Sequence, residues 1–129
     1  MNQQIAPADI APPAANYAHA VLSEAPAAIL HTSGVVPVSP DGSVPEPIGE
    51  QAEVVWSNIL AILRDAAMSP SDVVSITTYV VVDHMASLPV VMRARDEALG
   101  GHRAASTLVT VPALARPEWK MEIAVVAVR

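Results

Sequence analysis

Lys120-Met121-Glu122-Ile123-Ala124-Val125-Val126-Ala127-Val128 is the stretch that decides the fold. Read as a strand, alternation puts Met121, Ile123, Val125 and Ala127 on one side and Glu122, Ala124, Val126 and Val128 on the other. Both sides are apolar apart from Glu122, so both need cover. Val73 to Val82 repeats the pattern: it is rich in β-branched residues, and both alternating sets, Val73/Ser75/Thr77/Tyr79/Val81 and Val74/Ile76/Thr78/Val80/Val82, contain apolar side chains. A strand apolar on both faces needs cover on both.

Between and before them the period changes. Ile48, Ala52, Val55, Ile59, Ile62, Leu63 and Ala66 recur at helical spacing, and Ser69-Pro70-Ser71-Asp72 stops that helix near Met68. Leu88, Val91, Arg95 and Ala98 mark a second amphipathic helix, with Pro89 in its first turn and Gly100-Gly101 at its end. Thr107 to Val111 is a further strand, joined to the last one through Pro112 to Trp119. Ser33 to Pro47, rich in proline and glycine, is loop with a turn at Pro40-Asp41-Gly42. Upstream, Tyr17 to Ser23 and Ala28 to Thr32 flank Glu24-Ala25-Pro26 and read as an antiparallel hairpin. Ile5 to Asn16, broken by Pro7, Pro12 and Pro13, reads as an irregular lead-in.

The order ββ-α-β-α-ββ predicts an α+β domain in which one sheet packs two helices on a single face. A chain of 129 residues forms one such domain. With 52% hydrophobic and only 16% charged residues, the other face has apolar surface to hide, which predicts a closed homo-oligomer.

Composition also excludes chemistry. No cysteine means no thiolate nucleophile, disulfide or Cys-based zinc site. His19, His31, His84 and His102 show no ligand spacing, so neither metal nor cofactor is expected. A charge of −6 with 7 Lys plus Arg lacks the footprint that nucleic-acid binding requires. The longest apolar runs are far below the roughly 20 residues of a membrane span. Met1 to Ala8 has no signal-peptide pattern, which makes the expected location cytoplasmic.

Glu122 is the sharpest candidate for chemistry. A carboxylate among apolar neighbours at a subunit seam suits a proton carrier or a water-orienting group. Trp56 and Trp119 read first as packing residues, with Trp119 also placed to border a cleft.

Several stretches, in order, resemble the Rid family, the YjgF-type reactive-intermediate (enamine/imine) deaminases. They are Ala11-Pro12-Pro13-Ala14 with Tyr17; Thr32-Ser33-Gly34 with Pro37; Asp72-Val73-Val74 through Tyr79 and Asp83; and Ala105 to Val128, including Glu122-Ile123 and Ala127-Val128. The resemblance implies a chorismate-mutase-like fold, a single mixed sheet with two helices on one face, assembled as a homotrimer. It implies that Glu122 positions the water that attacks an imine carbon and that Tyr17 lines the cleft; Ser33, in the Thr32-Ser33-Gly34 turn, is a substrate-binding candidate whose hydroxyl serves either a ligand or its own backbone. Where active members carry an arginine that grips the substrate carboxylate, Ser106 aligns, or Ala105 after a one-residue shift. Arg103 and Arg116 are the nearest replacements. The expected activity is hydrolysis of a small imine, enamine or related labile metabolite in a cleft between subunits, different from standard 2-aminoacrylate deamination. The alternatives are a non-catalytic ligand-binding or regulatory trimer, and a different hydrolysis or tautomerisation in a catabolic pathway.

Overall fold

The computed structural model describes all 129 residues. Its elements are β1 (Asn2–Ile5), β2 (Ala20–Ser23), β3 (Ile29–His31), α1 (Ile48–Asp65), β4 (Val73–Val81), α2 (Leu88–Ala98), β5 (Ala105–Val111) and β6 (Met121–Val128). The four-stranded sheet has the order β3-β6-β4-β5, with β6 antiparallel to both neighbours and β4 parallel to β5. Thus β6 and β4, apolar on both sides, take the two central places, where each has a partner along both edges.

The crossovers β3-α1-β4 and β4-α2-β5 step across the sheet in the same direction. Right-handed connections therefore put both helices on one face, as the sequence order predicts. That face carries Ile76, Thr78 and Val80 of β4 and Met121, Ile123, Val125 and Ala127 of β6, all buried. Ala52, Val55, Trp56, Ile59 and Leu63 of α1 and Val91 of α2 close over them in one core. Each large aliphatic side chain so buried contributes roughly 1.5–3 kcal/mol. In β4 the buried parity shifts between Val73 and Ile76, because a bulge between Val73 and Ser75 puts two residues on the same side.

Helix α1 ends at Ala66, and Ala67 follows at φ 54° with its amide donating to the Arg64 carbonyl. Helix α2 is preceded by a 3₁₀ segment, Val82–Ser87, and gives way to Gly100 and Gly101, both at positive φ. No helix is long and apolar enough to cross a membrane.

The N-terminal third differs from the expectation. Strands β2 and β3 do not form a hairpin: β2 pairs with β1, from Asn2↔Ser23 to Ile5↔Ala20, and β3 pairs with β6. The connection, with Ala25 at φ 47° and the Ala27 and Ala28 amides donating to the Arg129 carbonyl, swings the chain across the sheet end instead of folding it back. Asn2 Nδ2 donates to the Val128 carbonyl (2.7 Å) and Gln4 Nε2 to the Arg103 carbonyl (3.0 Å). The β1-β2 ribbon thus lies along the end where β6 finishes and β5 begins, joined to β5 by a bridge between Ala18 and Ala105.

Candidate functional site

Opposite the helices, the sheet presents Ser75, Thr77, Tyr79 and Val81 of β4, Ala105, Thr107, Val109 and Val111 of β5, and Glu122, Ala124 and Val126 of β6. None of these side chains is buried in the single chain, and Val109 is 40% exposed.

Glu122 stands on this face between Tyr79, its register partner on β4, and the Thr32-Ser33-Gly34 turn on its other side. The turn is a bulge: three residues separate His31 from Val35, while only two separate their partners Val126 and Ile123. Thr32 makes this possible. Its amide donates to the Val125 carbonyl (3.0 Å), and its Oγ1 accepts from the Val125 amide (2.9 Å) in place of a backbone carbonyl. Ser33 is pushed outward and exposed, and Gly34 comes to rest against the Glu122 carboxylate. A Cβ on Gly34 would collide with Glu122 Oε2 and sit 3.0 Å from its Cδ, so only glycine leaves the carboxylate where it is. No hydrogen bond or ion pair within the chain engages the Glu122 carboxylate.

A second group of predicted residues gathers at the opposite corner of the same face. The Ala18 amide donates to the Ala104 carbonyl (2.9 Å), which lays the Asn16–Tyr17 segment beside the start of β5. Arg103 Nε donates to Asn16 Oδ1 (2.7 Å), the Tyr17 hydroxyl accepts weakly from the Ala14 amide (3.3 Å), and the Tyr17 ring meets His19 edge-on. Ala105 pairs with Ser75, four residues along β4 from the Tyr79 that faces Glu122. Four residues and two strand spacings put the corners on the order of 16 Å apart. One chain therefore does not bring Glu122 and Ser33 together with Tyr17 and Arg103.

Ser106 is on the wrong side for the place assigned to it. It pairs with Ile76, so its side chain points to the helices, where Arg95 Nη1 donates to its hydroxyl (3.4 Å). Arg95, 5% exposed, also donates through Nε to Asp96 (3.0 Å), so Ser106 helps satisfy a buried guanidinium. Strand parity gives the open-face position to Ala105. Sequence matching could not separate these adjacent residues; the register with β4 does.

Trp119 and Arg116 lie apart, in the connection before β6. With Val38, Gly42, Val44 and Glu118 they line a pocket of about 360 Å³. Its frame is Gln51 of α1, a fully buried residue that the sequence reading passed over. Gln51 Nε2 donates to the Pro45 and Glu118 carbonyls (2.8 Å each), and its Oε1 accepts from the Lys120 amide (2.9 Å). Its place three residues after Ile48 and four before Val55, on the apolar side of the helix, was the available signal. Beside it Lys120 Nζ pairs with Glu46 (2.7 Å) and holds that carboxyl below the ordinary glutamate range. No group of three or more His, Asp or Glu side chains converges anywhere in the chain.

A family model described as endoribonuclease L-PSP, that of the YjgF/Rid proteins, matches residues 8–129. The chain belongs to the YjgF/Rid family. Among solved structures, a Rid-family protein of unknown function from Yersinia pestis, YyfB, is 30% identical and superposes with a TM-score of 0.88 over 99% of this chain and 98% of that one. The YjgF gene product of E. coli is 29% identical, with a TM-score of 0.72 over 96% and 93%. E. coli TdcF with bound serine is 25% identical, with a TM-score of 0.73 over the same shares. No match is found among curated proteins. The α+β fold with two helices on one side of a mixed sheet is that of these Rid proteins.

Proposed function

We propose that this Rid protein is a hydrolase of small imines or enamines, built as a closed trimer in which Glu122 of one copy faces the Tyr17–Arg103–Ala105 corner of the next. The observation that carries this reading is the Glu122 carboxylate, seated on Gly34 with no partner in its own chain and turned to a face that holds exposed valine. An unpaired carboxylate beside an apolar seam is placed to take a proton from water once a neighbouring copy covers it.

The chemistry balances without a cofactor or metal. Glu122 accepts a proton from water as the oxygen forms a bond to the imine carbon, and the C=N π pair moves to nitrogen. The proton passes from Glu122 to that nitrogen to give the carbinolamine; Glu122 then takes the hydroxyl proton and delivers it to the amino nitrogen, the C–N bond breaks with its electron pair leaving on nitrogen, the oxygen closes the carbonyl, and ammonia departs. Ser33, whose hydroxyl makes no bond within the chain, and Tyr17 line the cleft. Ala105 presents a methyl where a guanidinium would clamp a carboxylate, so the favoured imine has no carboxylate next to its C=N bond. The Arg103 guanidinium, two residues before Ala105 in the chain, is held through Nε by Asn16 and keeps its Nη edges free.

The test measures ammonia release from imines with and without an adjacent carboxylate, beside sedimentation to establish the trimer. Release that is faster on the uncharged imines and lost in Glu122→Gln supports the proposal; no release from any imine refutes it. A ligand-binding trimer without turnover is the second reading, favoured by the serine bound to TdcF. It predicts that Glu122→Gln changes affinity in a protein that never turns over. RNA cleavage, the activity in the family model's description, is disfavoured by a charge of −6, because phosphate binding draws on lysine and arginine.

A further inference from the structure

We propose that Tyr79 is a second catalytic residue of the Glu122 site, the acid that protonates the imine nitrogen while Glu122 takes a proton from the attacking water. The proposal rests on the hydrolase reading and divides its proton transfers between two side chains. Tyr79 and Glu122 are register partners on β4 and β6, and both stand on the face opposite the helices. Directly opposed side chains in an antiparallel pair have Cβ atoms about 4.5–5.5 Å apart, so the phenol and the carboxylate border one small patch. The remaining side chains that β4, β5 and β6 turn to this face are valine, alanine, serine and threonine. His31 of β3 shares the face, but it pairs with Val126, four residues along β6 and on the order of 14 Å from Glu122. Tyr79 is thus the one titratable neighbour that the sheet gives to Glu122.

The phenol is also free to act. It is half-buried, and its hydroxyl makes no hydrogen bond in the chain, whereas that of Tyr17, the other tyrosine, accepts from the Ala14 amide (3.3 Å). Side chains on a strand stand roughly perpendicular to the sheet. Tyrosine is the longer of the two, so its hydroxyl projects beyond the carboxylate, toward the seam where the next copy closes. On the other side of Glu122 the Gly34 backbone lies against the carboxylate. Ser33 supplies only an alcohol there, a weaker acid than a phenol because its anion lacks ring delocalisation.

Water addition moves the C=N π pair onto nitrogen, and a proton has to arrive there as the C–O bond forms. A phenol keeps its proton at neutral pH and can give it at that moment. In the first step the Tyr79 hydroxyl protonates nitrogen and Glu122 takes a proton from water, leaving a neutral carbinolamine, a phenolate and a carboxylic acid. In the second, the phenolate takes the carbinolamine hydroxyl proton and Glu122 protonates the amine. The C–N bond breaks with its pair leaving on nitrogen, the carbonyl closes, and both side chains return to their starting states. One carboxylate acting alone carries each proton from oxygen to nitrogen in turn; the pair makes both transfers at once.

The test compares two electrophiles by stopped-flow loss of C=N absorbance, which reads the addition step, corrected for the spontaneous reaction. One is the N-methyl imine of benzaldehyde at a pH where it is neutral, so that its nitrogen needs a proton. The other is the N,N-dimethyl iminium ion of the same aldehyde, whose nitrogen already carries the charge. Tyr79→Phe keeps the ring and removes the acid. It is expected to slow the neutral imine by about 10²-fold and the iminium far less, whereas Glu122→Gln slows both. Equal losses on the two substrates, the mark of a residue that only packs the seam, overturn the proposal, as does full activity of Tyr79→Phe on the neutral imine. Either result leaves the hydrolase reading standing when Glu122→Gln is slow. Failure of the parent on both substrates overturns both.

Discussion

Gly34→Ala moves the proposed catalytic carboxylate without altering its chemistry. The three atoms nearest to a methyl placed on Gly34 all belong to Glu122, and Gly34 is not among the glycines at positive φ, so the backbone accepts alanine. The conflict falls on the free end of a flexible side chain that no hydrogen bond holds. Restoring ordinary contact, about 3.5 Å between carbon atoms, requires the carboxylate to withdraw by on the order of 1–2 Å. Forcing Glu122 off its preferred rotamer costs roughly 0.5–1.5 kcal/mol, a fall in melting temperature of a few degrees. A catalytic group misplaced by about 1 Å loses roughly 10²-fold in rate. The expected result is a melting curve close to that of the parent and kcat/KM for imine hydrolysis lower by about two orders of magnitude. Combining Gly34→Ala with Glu122→Gln should add little beyond Glu122→Gln alone, since both act through one carboxylate. Full activity in a folded Gly34→Ala protein, with Glu122→Gln inactive, would refute the claim that the turn positions the carboxylate.

Ser106→Ala removes a long hydrogen bond to buried Arg95, so urea unfolding should show a loss of about 0.5–1.5 kcal/mol while turnover stays at the parent rate. Gln51→Leu keeps the core volume but strands the Pro45 and Glu118 carbonyls and the Lys120 amide; a loss of about 3 kcal/mol or more is expected by the same method, with faster hydrogen exchange in the 38–47 and 116–120 segments. Ala67→Gly relieves a left-handed alanine after α1 and should raise stability by about 0.5–1 kcal/mol, read as an upward shift in thermal midpoint.

Much of the fold was legible because hydrophobic period is a local property. Helix α1 and strands β4 and β6 announced themselves by spacing, and Arg95 fell on the buried stripe of α2 beside Val91. Strand β1 did not, since Asn2-Gln3-Gln4-Ile5 has no apolar alternation and is held by backbone pairing to β2 and by amide side chains reaching distant carbonyls. The hairpin expected around Glu24-Ala25-Pro26 failed for a related reason: a short turn-like spacing cannot tell whether β3 finds its partner next door or about 97 residues later in β6.

The candidate site divides the same way. By itself the sequence determined that Glu122 shares a face with Ala124 and Val126, that glycine follows Ser33, and that no arginine occupies position 105 or 106. Only the tertiary structure decided that Gly34 lies against Glu122, that Ser106 serves Arg95 while Ala105 takes the open face, and that Tyr17 and Arg103 stand at the far corner from Glu122. Alternation orders side chains along one strand, but which residues meet across strands depends on register, and register here is set by two crossovers and a bulge that bring together segments far apart in the chain.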